Sequence, residues 1–598
     1  MKFRFVVFLP LLFLGIVGYQ RVSLASAVQD SAYYRVEQRQ GIWWFVAPDG
    51  KPFYSLGVNA VDMGAPRESY DPKHPQYAAF LYYPSPEAWA QTTLRRLRSW
   101  NFNTLGGWSD PMAPRNAMPY TVVLHLGGIA RLPWSDLFGE DVKRAFDEVA
   151  RQKVAPLAND KNLLGYFSDN ELGWWDDSLF EYYLKQPRAN ATRVVLMKLL
   201  REHYGSDVLR LRQDFETDAK SFNELDGHAA LTLKPGGQGA AVVDKFMFLV
   251  AERYYKLAHD AIRRYDSHHL LLGDRYHGYV PRAVAQAAVP YVDVISTNYS
   301  ADWADGRISE FYLSSLYQAT RKPILVTEFY QSATENRSGN RNSSAWFPVV
   351  ATQRERARSF RNNVTELASL PFVVGAHWFQ YADEPTRGRS DGEDYNFGLV
   401  DINDRPYEEL TATARALSTK SIHQRARLPA RAASNAVSVP SAIIGSERGL
   451  LYWNKDRSII ASTSSEPAGW NFADAYACWN PNYVYLAVYA ADFLEPLLYP
   501  GGKIPESERM TWTVTFENSQ SPLRVHFGMK DAATLDGDPV WLQEWQSPTR
   551  NTVMLKLPAA MFGKKKLRAG DSLVFAATLS SHSRAERMEW QSVLRLTK

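Results

Sequence analysis

From residue 53 onward, short apolar runs rich in β-formers alternate with longer stretches whose apolar positions return at helical spacing. The short runs fall at 53–58, 103–106, 120–126, 163–167, 270–274, 292–296, 324–327 and 373–379. The helical stretches fall at 86–98, 139–152, 244–265, 280–288, 307–319 and 353–369. Strands separated by helices are the pattern of a parallel α/β fold. Eight such units predict a closed (β/α)8 TIM barrel rather than an open sheet, with the residues just past each strand's C-terminal end converging on one face.

Two stretches break this rhythm. The interval 176–239 is too long for a single crossover and carries helical pattern at 193–203 and 208–215, so it is expected as an insertion after strand four that helps wall a cleft. At 422–441 Arg, Ala, Ser and Pro replace periodic hydrophobics, the composition of a linker or strap. Beyond it, within 442–598, segments such as 483–489 and 511–516 alternate or stay apolar between Gly, Pro, Asn and Asp clusters. That pattern predicts a C-terminal all-β sandwich behind a barrel domain of residues 28–421.

Composition narrows the partners. At 598 residues, with 45% hydrophobic and 22% charged, the chain has material for a large core and a second domain. The net charge of +4 is small for this size and comes without a basic block, so no nucleic-acid partner is expected. The 18 Trp and 32 Tyr suit a protein that grips the flat CH face of sugar rings, although aromatics also fill large cores. A single cysteine, Cys478, excludes an internal disulfide and a cysteine-based metal site, and reads as a small buried hydrophobe. Asp391-Gly392-Glu393-Asp394 is acidic but lacks the ligand spacing of an EF-hand loop, so neither metal nor cofactor is expected.

The N-terminus adds an address. Lys2 and Arg4 precede an apolar run at 5–19, and Ala25-Ser26-Ala27 offers the small residues of a cleavage site, so residues 1–27 read as a signal peptide and the protein as exported. The run is short of the ~20 apolar residues of a spanning helix, and no later stretch is expected to cross a membrane.

Cleaving a glycosidic bond takes one carboxyl to protonate the leaving oxygen and a second to attack or to activate water. Strand four runs from Leu163 through Phe167 and is followed by Asn170-Glu171; strand seven runs from Ile324 to Thr327 and is followed by Glu328. A charged side chain at the C-terminal end of an apolar barrel strand has its use in the cleft. Strands four and seven lie on opposite sides of the mouth, so Glu171 and Glu328 can approach one bond from two directions. A separation of ~5–5.5 Å would give double displacement with retention. Asn170 is placed to hydrogen-bond the 2-hydroxyl of the reacting sugar. Taken singly, an Asn-Glu pair after a strand is also a helix cap, and a lone Glu is also a loop carboxylate; the coincidence on strands four and seven carries the reading.

These residues resemble clan-A glycoside hydrolases, which carry an Asn-Glu acid/base on strand four and a Glu nucleophile on strand seven. Within that clan the chain is similar to the β-agarase family (glycoside hydrolase family 50-like). The likeness rests on Gly41-Ile42-Trp43-Trp44-Phe45-Val46 with Phe53-Tyr54-Ser55-Leu56-Gly57-Val58-Asn59, on Gly165-Tyr166-Phe167-Ser168-Asp169-Asn170-Glu171, on Leu272-Gly273-Asp274-Arg275-Tyr276, and on the run from Gly375 to Tyr407. It implies the acid/base role for Glu171, the nucleophile role for Glu328, and sugar contacts from Asn170, Trp378 and Gln380. It also implies that Asp383, Glu384, Asp391 and Glu393 shape a strand-eight loop bordering the cleft. After Glu328 the chain has Phe329-Tyr330-Gln331-Ser332 where those agarases tend to have a His and a Gly, a departure that bears on the subsites beside the nucleophile and leaves the sugar open.

Further residues carry two readings each. Tyr299, just past strand six, stands where the clan places a group that hydrogen-bonds the nucleophile; a packing tyrosine is the alternative. Arg275, past strand five, is a candidate to bind substrate hydroxyls or hold a carboxylate ionised, against a structural ion pair. His277 and His377 are cleft candidates, with a hydrogen-bonded structural histidine the safer reading of each. Trp108, Trp134, Trp174 and Trp175 are stacking candidates or wall. In the sandwich, Trp453, Trp470, Trp479, Trp512, Trp541 and Trp545 either grip sugar or fill the core. Three functions remain: hydrolysis of a β-linked galactan such as agarose, another β-glycosidase activity of the same clan such as β-galactoside cleavage, or non-catalytic polysaccharide binding. Both carboxylates being present argues against the last.

Overall fold

The computed structural model describes residues 32–110, 118–129, 134–174, 178–227, 230–309, 311–343, 347, 349–428, 436–441, 459–460, 471–492, 494–517, 521–528, 531–547, 550–581 and 586–598. The proposed signal peptide lies outside them.

The eight expected strands are present: β1 (Ser55–Val58), β2 (Thr104–Leu105), β3 (Tyr120–Val123), β4 (Leu163–Phe167), β5 in two pieces (Leu270–Leu271 and Tyr276–His277), β6 (Ile295–Asn298), β7 (Ile324–Phe329) and β8 (Val373–Trp378). Every neighbouring pair is parallel. The order runs from the first piece of β5 through β4, β3, β2, β1, β8, β7 and β6 to the second piece of β5. The residues between the two pieces close the ring: Leu272 N donates to Tyr166 O (2.8 Å) and Ser168 N to Gly273 O (2.8 Å), while Leu271 O accepts from Asp293 N (2.9 Å). The sheet is a closed barrel.

Alternation along the strands sorts its apolar residues into two layers. Leu164, Leu270, Leu272, Val294, Leu325 and Val374 fill the barrel, with Phe45 from the N-terminal region packed among them. Phe45 belongs to an antiparallel sheet of Arg35–Arg39, Ile42–Val46 and Pro52–Phe53, which plugs the N-terminal mouth and is tied to it by Trp43 N donating to Pro371 O (2.7 Å). Leu56, Leu163, Tyr166, Ile295, Ile324 and Val373 face the helix layer.

The helices sit close to their predicted positions: Pro86–Ser99, Glu140–Lys153, Gly239–Tyr265, Arg282–Ala288, Phe311–Thr320 and Gln353–Ser369. The last starts with a capping box between Thr352 and Glu355, a local signal that fixes its first residue. The fifth runs over Phe311–Thr320, later than the expected start at 307, and the Ser309 N–H before it donates to Tyr299 OH and Asp302 Oδ2. The segment after β4 folds as helices Ser178–Leu184, Ala191–Tyr204, Val208–Asp214 and Phe222–Asp226, with buried Arg193 paired to Asp226 at 2.7 Å.

Glycine is required where strands approach most closely. A Cβ built on Gly165 of β4 lands against the Leu270 carbonyl oxygen, well inside van der Waals contact, with backbone rather than a mobile side chain in its way. Gly165→Ala is therefore expected to wedge β4 from β5 and cost about 1–3 kcal/mol, read as a lowered urea midpoint. An unchanged midpoint would mean that the barrel yields at this point.

After the barrel, helix Thr419–His423 wedges His423 between the carbonyls of Trp43 and Ala368. The C-terminal region is a sandwich of a seven-stranded and a five-stranded sheet. Strand Ala436–Pro440, inside the stretch whose composition reads as a linker, pairs with Glu586–Thr597 in the larger sheet. The smaller sheet contains Ala473–Trp479, Tyr483–Ala491, Leu542–Ser547 and Arg550–Pro558. Among the described residues no helix is long and apolar enough to cross a membrane.

Candidate active site

At the C-terminal mouth, a cavity of about 340 Å³ is lined by Asn170 and Glu171 after β4, Glu328 in β7, Gln380 after β8, and by aromatic and charged loop residues. Glu328 is the penultimate residue of β7, which runs two residues further than its apolar pattern indicates. The chain makes sharp turns around this mouth. Ala60, Trp108, Glu171 and Arg275, which follow β1, β2, β4 and the first piece of β5, all have φ between 47° and 58°. Left-handed backbone costs a non-glycine residue roughly 1–3 kcal/mol and persists only where the surroundings hold it. At Glu171 the holding contact is its N–H donating to Arg275 O (3.2 Å).

Arg275 and Asn298 organise the carboxyls. Arg275 is fully buried; its Nη2 donates to Glu328 Oε1 at 2.5 Å and its Nε to Asn170 Oδ1 at 2.9 Å, and its guanidinium lies over the Trp108 ring at 4.3 Å. Because guanidinium only donates, this bond fixes which way the Asn170 amide faces: the oxygen inward and Nδ2 toward the cleft. Asn298, at the end of β6, donates from Nδ2 to Glu171 Oε1 (2.8 Å) and Asn170 Oδ1 (3.1 Å) and accepts from Thr327 Oγ1 (2.7 Å). One amide thus touches the strand-four pair and strand seven together. His277 Nε2 lies 4.0 Å from Glu171 Oε2.

Burial raises both carboxyls, since low-dielectric surroundings disfavour their charge. It pushes Glu328 up to about 7 against the pull of Arg275, with Glu171 pushing the same way as burial. Glu171 is raised by burial too, while the Asn298 bond and Arg275 draw it back and Glu393 pushes it up.

Several sequence-predicted residues lie elsewhere. The Tyr299 hydroxyl was expected on Glu328; it donates to Asp302 instead and lies 3.0 Å from Ser309 Oγ, and it is the Tyr299 backbone N–H that reaches Glu328 O (3.0 Å). Trp378, expected on the sugar, is 0% exposed, packs on Phe329 and Phe360 in the helix layer, and donates from Nε1 to Phe397 O (2.8 Å). Asp383 is buried under the strand-eight loop, accepting from Ser338 Oγ and Tyr407 OH (2.6 Å each) and Gly398 N (2.8 Å). Glu384 accepts from Tyr395 N (2.6 Å) and lies 3.5 Å from Arg389. Both acids thus fold the strand-eight loop, as the resemblance implies, and neither lines the cavity.

His377 is buried inside the barrel, 2.9 Å from Ser55 Oγ, where burial lowers it to about 3. Trp174 is core, donating to Asp274 (2.7 Å), and Trp134 packs edge-on against it; Trp175 lies outside the described residues. Of the sandwich tryptophans, Trp479 and Trp512 are buried and Trp541 is 41% exposed; Trp545 lies in strand Leu542–Ser547, and Trp453 and Trp470 lie outside the described residues.

Other residues of the site escaped the sequence. Asn298 follows an apolar run as Glu171 does and was legible by the same rule. Tyr330, Phe347, Phe379 and Phe397 form an aromatic wall, and Arg389, 3.4 Å from Glu393, also lines the cavity; Tyr330 and Phe379 directly follow β7 and β8, whereas Phe347, Phe397 and Arg389 are brought there by folding of the loops. Among the described residues no group of three or more His, Cys, Asp or Glu is arranged to hold a metal.

No protein-family model matches the chain. It is 28% identical over 356 residues to beta-agarase B of Vibrio sp. (strain JT0107), which is 55% of this chain and 36% of that protein. To beta-agarase A of the same strain it is 26% identical over 466 residues, 64% of this chain and 45% of that protein. The chain thus matches less than half the length of either relative. Among solved structures, PfGH50B superposes with a TM-score of 0.58 at 23% identity, covering 66% of this chain and 67% of that one. An exo-beta-agarase gives 0.57 (23%, 66% and 65%) and the agarase AgWH50C 0.56 (23%, 66% and 66%), and at such identities the shared property is the fold. In sequence and in fold, the chain therefore resembles the β-agarases of the glycoside hydrolase family 50 type.

Proposed function

We propose that the chain is an exported retaining glycoside hydrolase that cleaves β-linkages of an agarose-type galactan or its oligosaccharides. The observation that carries this reading is the meeting of Glu171 and Glu328 in one aromatic-walled cavity, with Arg275 on one carboxylate and a neutral amide on the other. Burial raises both carboxyls, and we assign the charge of the pair to Glu328 because the Arg275 ion pair opposes its protonation directly. Glu171, held by a neutral amide rather than a cation, takes the proton of the pair although the Asn298 bond draws it back. Two carboxyls whose surroundings divide charge and proton in this way are an acid and a nucleophile.

Glu328 then attacks the anomeric carbon while Glu171 protonates the leaving oxygen, giving a glycosyl ester; in the second half Glu171 takes a proton from water, which releases the sugar. Asn170 Nδ2 faces the position of the 2-hydroxyl, where a hydrogen bond strengthens as the ring gains oxocarbenium character. The CH faces of the sugar lie against Trp108 and the Phe347 and Phe397 rings. The substrate follows from the resemblance to β-agarases, and export from the N-terminal pattern of basic, apolar and small residues.

Agarose, porphyran, carrageenan, galactan and an aryl β-galactoside, with products identified by mass spectrometry, test the substrate. Oligosaccharide release from agarose is expected, and inertness of every galactose-based substrate would end the agarase reading. The first product seen by proton NMR is expected as the β-anomer. An α-anomer appearing first would overturn double displacement.

A further inference from the structure

We propose that the C-terminal sandwich positions the two glutamates of the barrel, with Tyr489 as the positioning residue acting through Asp302 and the loop after β6. The inference rests on the hydrolase reading above.

Two strands of the smaller sheet, Ala473–Trp479 and Tyr483–Ala491, are buried on both faces. Ala475, Ala477, Leu486 and Val488 point into the sandwich core. Their alternating neighbours Tyr476, Cys478, Tyr485 and Tyr489 join the core of the barrel. That barrel-facing side meets the loop after β6 and the helix that follows it: Trp303 packs on Tyr476 at 5.2 Å, Phe311 on Tyr489 at 5.8 Å, and Ser315 Oγ donates to Asn471 O at 2.7 Å. The outer face of strands Ala473–Trp479 and Tyr483–Ala491 is therefore a docking surface for the barrel.

At the centre of the joint is the buried carboxylate of Asp302. Tyr489 of the sandwich donates to its Oδ1 at 2.6 Å, while Tyr299 OH and Ser309 N (2.8 Å) donate to Oδ2. From Asp302 the chain leads back to the chemistry within four residues. Ser300 Oγ donates to Tyr330 O (3.0 Å), Tyr299 N donates to Glu328 O (3.0 Å), and Asn298 bonds Glu171 and Asn170. A loop that bonds both catalytic residues is anchored at its far end to another domain. Misplacing a catalytic group by a fraction of an ångström is expensive, because reacting atoms must hold near-attack geometry.

Tyr489→Phe removes the hydroxyl and keeps the ring. In hydrolysis of agarose oligosaccharides, kcat is expected to fall about tenfold with KM changed by less than about twofold, because ground-state contacts with the sugar survive. Loosening Asn298 also removes a bond that draws Glu171 down, so the alkaline limb of the pH profile is expected to move to higher pH. Carbon-13 NMR titration of the glutamate carboxyls in the ligand-free protein reads the same shift in Glu171 without any substrate. Tyr476→Phe, whose lost hydroxyl bonds Asp474 within the sheet at 3.0 Å, is the control and is expected to leave all three readouts unchanged. Unchanged kcat, pH limb and Glu171 titration in Tyr489→Phe would overturn the proposal, whatever happens to Tm. If the unaltered protein hydrolysed nothing, the hydrolase reading would fall, and the carboxyl titration would still decide whether Tyr489 acts on Glu171.

Discussion

Glu328→Gln is expected to lower kcat on agarose oligosaccharides by roughly 10⁴- to 10⁶-fold, since a neutral amide of the same shape cannot form the glycosyl ester. Glu171→Gln should cost about 10²- to 10⁴-fold on an oligosaccharide, whose alkoxide must be protonated as it leaves. The two variants separate on an aryl glycoside with an acidic leaving phenol. Glu171→Gln should then release phenol in a burst and stall at the ester, because the leaving group needs no proton whereas the attacking water needs a base. Glu328→Gln should show no burst. Circular dichroism and polysaccharide binding, measured alongside, distinguish lost chemistry from lost fold. This control matters for Glu328→Gln, which leaves the buried Arg275 without its closest counter-charge at a cost of about 3–5 kcal/mol. Near-normal hydrolysis by either variant would sink the assignment of both roles.

Arg275→Met carries the second large effect, and its sign follows from the cavity. Burial holds Glu328 at about 7 even with the guanidinium 2.5 Å away. Removing the cation takes away the pull that opposes burial, so the carboxyl rises further and ionises only at higher pH. The acidic limb of kcat/KM is expected to move up by about 1–3 pH units, and the rate at pH 6 to drop by about 10- to 1,000-fold. Arg275→Lys keeps the charge but has a single nitrogen where Arg275 uses Nε on Asn170 and Nη2 on Glu328. It should keep the limb near its original position and still lose kcat, because Asn170 is no longer oriented. A limb that stays in place in Arg275→Met would mean that something other than Arg275 sets the charge of Glu328.

The candidate site was partly legible because some of its information is local. Glu171 and Glu328 stand out since each charge interrupts or ends a run of apolar residues, and helix Gln353–Ser369 is announced by its own capping box. Tyr299 shows where local pattern fails. Pairing of β6 with β7 shifts register between Thr297 and Asn298, so Asn298 lies opposite Glu328 in the ladder and its side chain reaches Glu171, while the side chain of Tyr299 turns to Asp302. A slip of one residue exchanges the faces of a strand, and strand composition does not record it. Trp378 fails for a related reason: β8 turns it toward Phe360 of the helix layer, where its bulk fills space between strand and helix. Its place at the end of an apolar strand is indistinguishable in sequence from that of a cleft residue.

By itself, the sequence determined eight parallel strands with their covering helices, a β-sandwich after them, and two glutamates on strands four and seven. Each of these follows from spacing along the chain, because burial on one face repeats with the period of the element. Only the tertiary structure decided that Arg275 and Asn298 connect the strand-four pair to Glu328 and its strand, that Tyr299 and Trp378 serve packing, and that a sandwich tyrosine anchors the loop behind the site. Those relations join residues up to 187 positions apart, as between Asp302 and Tyr489. Directed bonds of about 3 Å between distant segments depend on register and docking, and neither leaves a periodic trace in the order of amino acids.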